Sequence, residues 1–288
     1  MNSKGMKLIF GAAALAALGA SSTAAFADDD NPWGTLSAYV AVQSDYRFRG
    51  ISQNDKDPSP EASVNWSGPE GFYAGTWLAK VNFQAATGDG LGTSYSDHTS
   101  LETDFYAGKH TDLWGTDLNL EAYLYAYPDH NIATNVIPGS HWHDTYFEMI
   151  GQLSHPFGPV SLTATAAYSP NFFGQTGTGW YIEGTAAYTV NDWLSLSANL
   201  GHQWVSRVDS LTIPNSYDGE DPFIYSSGLP YTHWDIGATF TYKQFALDVR
   251  YVDTNLSSTQ CYWTQGAKNL CDATVVATLT YNIPAFPW

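Results

Sequence analysis

Three groups of residues in this sequence have types and spacings that could do chemistry. His141 and His143 lie two apart, with Asp129 and His130 shortly before them, a set that could gather imidazole and carboxylate around a metal. His-x-His is a weak signal, and the ordinary reading is a solvated loop. Cys261 and Cys271 are the two cysteines of the chain. In an exported protein a loop-closing disulfide is the leading reading and two unpaired thiols the alternative; no second ligand pair at finger spacing supports zinc. The third group is a series of charged residues, each flanked by an apolar neighbour: Asp45, Arg47, Glu61, Lys80, Glu102, Asp104, Glu121, Glu148, Glu183, Asp235, Asp248 and Arg250. Residues that alternate in this way face opposite sides of a strand, so these twelve are candidates for lining a polar interior. Acids dominate the set, which points to a lumen favouring cations or uncharged solutes.

Other chemistries find less support. A hydrolase would need a nucleophile beside a base, but no G-x-S-x-G segment is present, and His202 has no evident nucleophile beside it. The acidic run Asp28 to Asn31 lacks the spacing of a calcium loop and reads as a solvated tail. No catalytic residue, metal ligand or cofactor is assigned.

The elements that must carry the charged series are strands. In residues 193–205, Leu194, Leu196, Ala198 and Leu200 alternate with Ser195, Ser197, Asn199 and Gly201, and 272–283 repeats the rhythm. Segments of this kind predict about twelve strands, at 35–48, 57–67, 71–83, 99–109, 115–127, 142–155, 159–169, 179–190, 193–205, 232–243, 245–254 and 272–283. Each is long enough for a tilted strand to cross a bilayer, which takes about 9–11 residues. Short connections at 67–71, 155–159, 191–192 and 243–244 alternate with long ones near 49–57, 84–98, 128–141, 170–178, 206–231 and 255–271. That asymmetry is expected of a closed antiparallel transmembrane barrel, with tight turns on one side and long loops on the other. The predicted lipid-facing set is Trp77, Val81, Leu120, Leu124, Phe147, Leu162, Leu196, Ile236, Phe240, Leu247 and Val249. Trp33, Trp66, Phe72, Trp114, Phe157, Trp193 and Phe245 would form one interfacial girdle, and Trp142, Trp180, Trp204 and Trp234 the other. Asp45, Arg47 and Arg49 are expected on one face of the first strand, ion-paired with Glu61 or a neighbouring strand.

Composition agrees with an exported membrane chain. Lys4 and Lys7, the apolar run from Leu8 to Ala20 and the ending Ala25-Phe26-Ala27 read as a signal peptide over 1–27, leaving a single barrel domain over 28–288. Removing the two lysines moves the formal charge from −17 to −19, a surface that repels nucleic acid. With 19 Tyr and 11 Trp the chain nevertheless has ample material for a folded structure, which excludes a disordered acidic protein.

Ser44-Asp45-Tyr46-Arg47-Phe48-Arg49-Gly50-Ile51-Ser52-Gln53, Asp57-Pro58 and Gly71-Phe72-Tyr73-Ala74-Gly75-Thr76-Trp77 resemble the TorF-type putative porins, bacterial outer-membrane proteins of largely unknown function. The resemblance implies an outer-membrane location and a porin-like role without assigning roles to individual residues. The expectation is a channel for passive diffusion of small solutes, bounded by outer-membrane lipid and lipopolysaccharide. Phe286 and Trp288 after the last strand would be read by barrel-assembly machinery. The alternative is a structural or adhesive barrel with a plugged lumen, narrowed by Glu121, Tyr123 and Tyr125, and with its long loops as the working surface.

Overall fold

The computed structural model describes residues 33–88, 94–128, 145–173, 176–206, 230–265 and 267–284. The expected signal segment, the His141/His143 group, Asp129, His130, Trp142, Phe286 and Trp288 lie outside them.

Alternating apolar and polar residues build a closed antiparallel barrel of twelve strands. In chain order these are β1 (Thr35–Gln43), β4 (Ser59–Ser67), β5 (Phe72–Gly88), β6 (Ser94–Leu113), β7 (Thr116–Ala126) and β8 (Tyr146–Phe157). They continue with β9 (Val160–Ser169), β10 (Gly179–Asn191), β11 (Leu194–Val205), β12 (Tyr231–Tyr242), β13 (Phe245–Thr254) and β14 (Thr274–Ile283). Two short strands, β2 (Arg47–Phe48) and β3 (Ile51–Ser52), pair only with each other. Neighbours in sequence pair in register round the ring, and β1 closes it by pairing with both β4 and β14. Closure leaves no open edge, the condition for a sheet to sit in lipid.

Exposed apolar side chains cover the outside. Leu120, Leu124, Leu162, Leu196, Ile236, Phe240, Leu247 and Val249 all face outward as expected, and Phe147 is half-buried on the same outer face. Trp33, Phe72, Trp114, Phe157, Trp193 and Phe245 are exposed at the short-turn end; Trp180, Trp204 and Trp234 are exposed at the long-loop end. Two aromatic belts on an apolar wall match the two interfaces of a bilayer.

Three expectations need correction. Trp77 and Val81 are buried inside the barrel, while Lys80 is exposed on its outer face. The register explains the inversion: Ser63, Trp77 and Asp104 are direct partners across β4, β5 and β6, as are Glu61, Ala79 and Glu102. Cross-strand partners share a face, so inward Glu61 and Glu102 force Ala79 inward and Lys80 outward. The pairing shifts between Lys80 and Phe83. Second, the connection expected at 84–98 is largely strand, since β5 and β6 stay paired out to Gly88 and Ser94. Its polar composition hid the continued pairing of the two strands. Third, the 255–271 connection contains a helix, α1 (Ser258–Gln265).

Candidate functional site

The first strand ends at Gln43, before the 48 expected. Ser44 remains tied to β14, donating its N–H to the Ala277 carbonyl while its hydroxyl accepts the Ala277 N–H. The chain then turns into the barrel. Phe48 and Ile51 pair across a two-residue turn, Arg49-Gly50, whose φ values are 48° and 86°. Positive φ at both central positions is what a tight I′ hairpin turn requires, and glycine adopts it without a steric penalty. A Cβ at position 50 would lie 2.7 Å from both His233 Cβ and Thr254 Cγ2. Gly50→Ala is therefore expected to destabilise the folded protein by about 1–3 kcal/mol. The check is the temperature at which the folded band converts on unheated gels; an unchanged temperature would remove this account of Gly50.

The base of the hairpin is clamped by charge. Asp45 accepts a hydrogen bond from Arg47 Nε at 2.7 Å and another from Ser52 Oγ at 2.6 Å. Arg47 Nη1 also donates to the carbonyls of Gly50, Leu270 and Asp272 at 3.0, 2.9 and 3.1 Å. The Ser52 N–H reaches the Leu270 carbonyl. Ile51 packs with Tyr231 and with Cys261 and Cys271, which form a disulfide. The connection between β13 and β14 thus acts as a bracket that holds the hairpin down.

Arg49 at the tip crosses to the far wall. Going round from β1, β8 is reached through β4, β5, β6 and β7, and β11 through β14, β13 and β12. Arg49 donates two hydrogen bonds to Glu148 of β8, at 3.0 and 2.7 Å, and one to Gln203 of β11. Its guanidinium carbon lies 3.9 Å from the ring centroid of Tyr181 on β10. Arg49 is fully buried, which alone would favour loss of its proton, but the Glu148 carboxylate and surrounding phenols hold it protonated, above its ordinary range. A bidentate pair with a stacked ring suits arginine and not lysine.

Aromatics fill the wall beside this bridge. Tyr106, Tyr123, Tyr125 and Tyr146 follow one another over β6, β7 and β8 with centroid separations of 5.3, 4.4 and 4.3 Å. Tyr125 donates to Glu148 at 3.1 Å, which ties the row to the Arg49 bridge. Further round, Arg250 pairs with Asp235 and with Asp248, and Asn199 donates to Asp235 at 2.7 Å. Glu183 accepts from Tyr181 at 2.7 Å and Glu121 from Tyr73 at 2.7 Å.

Apart from Lys80, the charged series lies within the barrel: Asp45 and Arg47 in the clamp, Asp235, Asp248 and Arg250 in one cluster, Glu61, Glu102 and Asp104 on β4 and β6, and Glu121, Glu148 and Glu183 bonded to Tyr73, Arg49 and Tyr181 respectively. Asp45 and Arg47 are not on β1 and do not share a strand face with Arg49, as the sequence suggested; they pair with each other, and Arg49 pairs with Glu148. Gln203, Tyr181 and the turn at Arg49-Gly50 were missed. An x-Gly pair between alternating Phe48 and Ile51 was the signal for the turn; nothing local pointed to partners 99 and 154 residues away. Among the described residues no group of three His, Cys, Asp or Glu could hold a metal ion. His202 bonds Thr232 Oγ1 at 2.7 Å and packs on Trp204.

The profile of Gcw_chp, described as a bacterial protein of unknown function, matches residues 27–283. No curated relative matches the chain in sequence. Among solved structures, an outer membrane channel from Pseudomonas putida F1 superposes with a TM-score of 0.49 at 14% identity, covering 92% of this chain and 99% of that one. The NanC porin gives 0.46 at 8% identity, covering 86% and 97%. LpxR from Salmonella typhimurium gives 0.44 at 10% identity, covering 85% and 99%.

Proposed function

We propose that this chain, which belongs to the Gcw_chp family of bacterial proteins of unknown function, is an outer-membrane channel for passive diffusion of small cationic or uncharged solutes, narrowed by its own first loop. The observation that carries the reading is a closed barrel with an apolar, aromatic-belted outside and an acid-rich inside. A wall of that kind belongs next to hydrocarbon, and a low-dielectric tube lined mainly by carboxylates and phenols attracts cations. The resemblance of the Ser44 to Gln53 segment to TorF-type putative porins supports the same assignment. Lipid and lipopolysaccharide would cover the wall, and Phe286 and Trp288 would present the chain to barrel-assembly machinery.

A second reading is favoured by the Arg49 bridge: a structural or adhesive barrel whose lumen stays plugged and whose long loops do the work. Planar-bilayer recording separates the two. The channel reading expects discrete conductance steps and, across a potassium chloride gradient, a reversal potential of the sign set by cation preference. Complete absence of conductance favours the plug, and anion preference overturns the selectivity.

A further inference from the structure

Three side chains of the inner wall meet at one point beneath the first loop. The Tyr181 hydroxyl donates to Glu183 Oε2 at 2.7 Å and lies 2.8 Å from His233 Nε2, and the Oε2 and Nε2 atoms are themselves 3.9 Å apart. All three residues are buried, and the Tyr181 and His233 rings stack 6° from parallel. Gly201 of β11, the partner of both Glu183 and His233, leaves room for them: a Cβ there would collide with His233 Nε2 and with the Tyr181 hydroxyl. The first loop rests on this group. Arg49 holds its guanidinium carbon 3.9 Å from the Tyr181 ring centroid, and Gly50 sits so close that a Cβ would come within 2.7 Å of His233 Cβ. Among the described residues the other neighbours are neutral or already paired. Asp235 of β12 is bound to Arg250 of β13, β11 presents Asn199 and Gln203, Thr254 is the β13 partner of His233, Tyr231 is a phenol, and Glu148 is bound to Arg49.

A phenol has one proton to give, and here two acceptors stand beside it. When Glu183 is ionised that proton serves the carboxylate, and the neutral imidazole of His233 donates its Nε2–H to the phenol oxygen. Carboxylate and imidazole are also the side chains that take up protons between neutral and acidic pH, and a pair this close titrates as one unit. Before uptake the group carries one negative charge; after it, none, whether the proton rests on Glu183 or on His233. Arg49, a permanent cation over the same ring, is attracted in the first state and loses that attraction in the second. We infer that Glu183, Tyr181 and His233 form a pH-operated release for the first loop: uptake of one proton from water removes one of the holds on Arg49, loosens the hairpin and opens the lumen in acid. The inference rests on the proposal that this loop narrows a channel, and it names what regulates the constriction.

Amide hydrogen exchange of residues 48–51 in the full chain in detergent, corrected for the intrinsic effect of pH on exchange, tests it without relying on conductance. Lowering the pH from about 7.5 to about 4.5, which spans the ordinary imidazole range and approaches that of a carboxylate, is expected to cut protection there about tenfold or more while β13 keeps its own. Glu183→Gln, which holds that side chain neutral, should show the low protection already at the higher pH. In the unaltered protein the ring resonances of His233 should shift with the same midpoint as the protection, and that comparison decides the matter even if the variant fails to fold. Constant protection, a pH response of undiminished size in folded Glu183→Gln, or separate midpoints would overturn the release. A loop that loosens in acid within a barrel that passes no current would uphold it and remove only the transport proposal.

Discussion

Replacing Arg49 by alanine is expected to widen the conducting path and to weaken the folded barrel at the same time. Arg49 ties the first loop to β8, β10 and β11 on the opposite side of the ring, so no other single side chain described here links so much of the wall. Its loss removes the bridge and leaves Glu148, itself buried, without its cation. Breaking one partner of such a pair costs about 3–5 kcal/mol, because the remaining charge stays out of water. Single-channel conductance should rise by roughly twofold or more as the constriction opens, with the unfolding temperature falling in parallel. Arg49→Lys should recover the charge but not the forked geometry, and so only part of the stability. Pairing Arg49→Ala with Glu148→Gln should lose less stability than the sum of the two single changes. Unchanged conductance and unchanged unfolding in Arg49→Ala would show that the bridge neither narrows nor braces the lumen.

Reducing the Cys261–Cys271 disulfide is expected to have the second-largest effect, although neither cysteine touches Arg49. The bracket between β13 and β14 supplies the Leu270 and Asp272 carbonyls that hold Arg47, the Leu270 carbonyl that holds Ser52, and the apolar seat of Ile51. Thr254 donates to the Cys271 carbonyl at 3.0 Å, so the same bracket is anchored to the end of β13. Losing a native disulfide typically costs about 2–4 kcal/mol. The hairpin base should then become accessible to protease, and conductance should rise on adding dithiothreitol and fall again on reoxidation. In Arg49→Ala the reductant should add little, because the tip is already free. Identical proteolysis and conductance before and after reduction would separate the bracket from the loop.

Much of this architecture was written in two-residue alternation. The strand positions, the outward Leu and Val residues and the aromatic belts follow from it, because a barrel wall in lipid must present one apolar and one polar face. The errors arise where alternation loses its meaning. Trp77 looked lipid-facing because it is large and apolar, yet pairing with Ser63 and Asp104 places it inside, where its indole N–H finds Glu61. Lys80 looked like a lumen cation, and only the register of β5 against Glu61 and Glu102 turns it outward. Residues 44–48 keep the strand rhythm after β1 has ended, so the sequence conceals the departure of the loop. The Arg49 partners depend on closure of the ring, which no local pattern encodes.

Contacts between residue 49 and residues 148 and 203, and between residue 47 and residues 270 and 272, also set an order of events during assembly. The residue 49 contacts wait for β8 and β11, and the residue 47 contacts wait for the connection that precedes the last strand, since contacts so distant in sequence form late. A barrel that lacks its last hairpin therefore keeps the base of the inward loop unlatched, and the Arg47 clamp closes only once Leu270 and Asp272 have arrived.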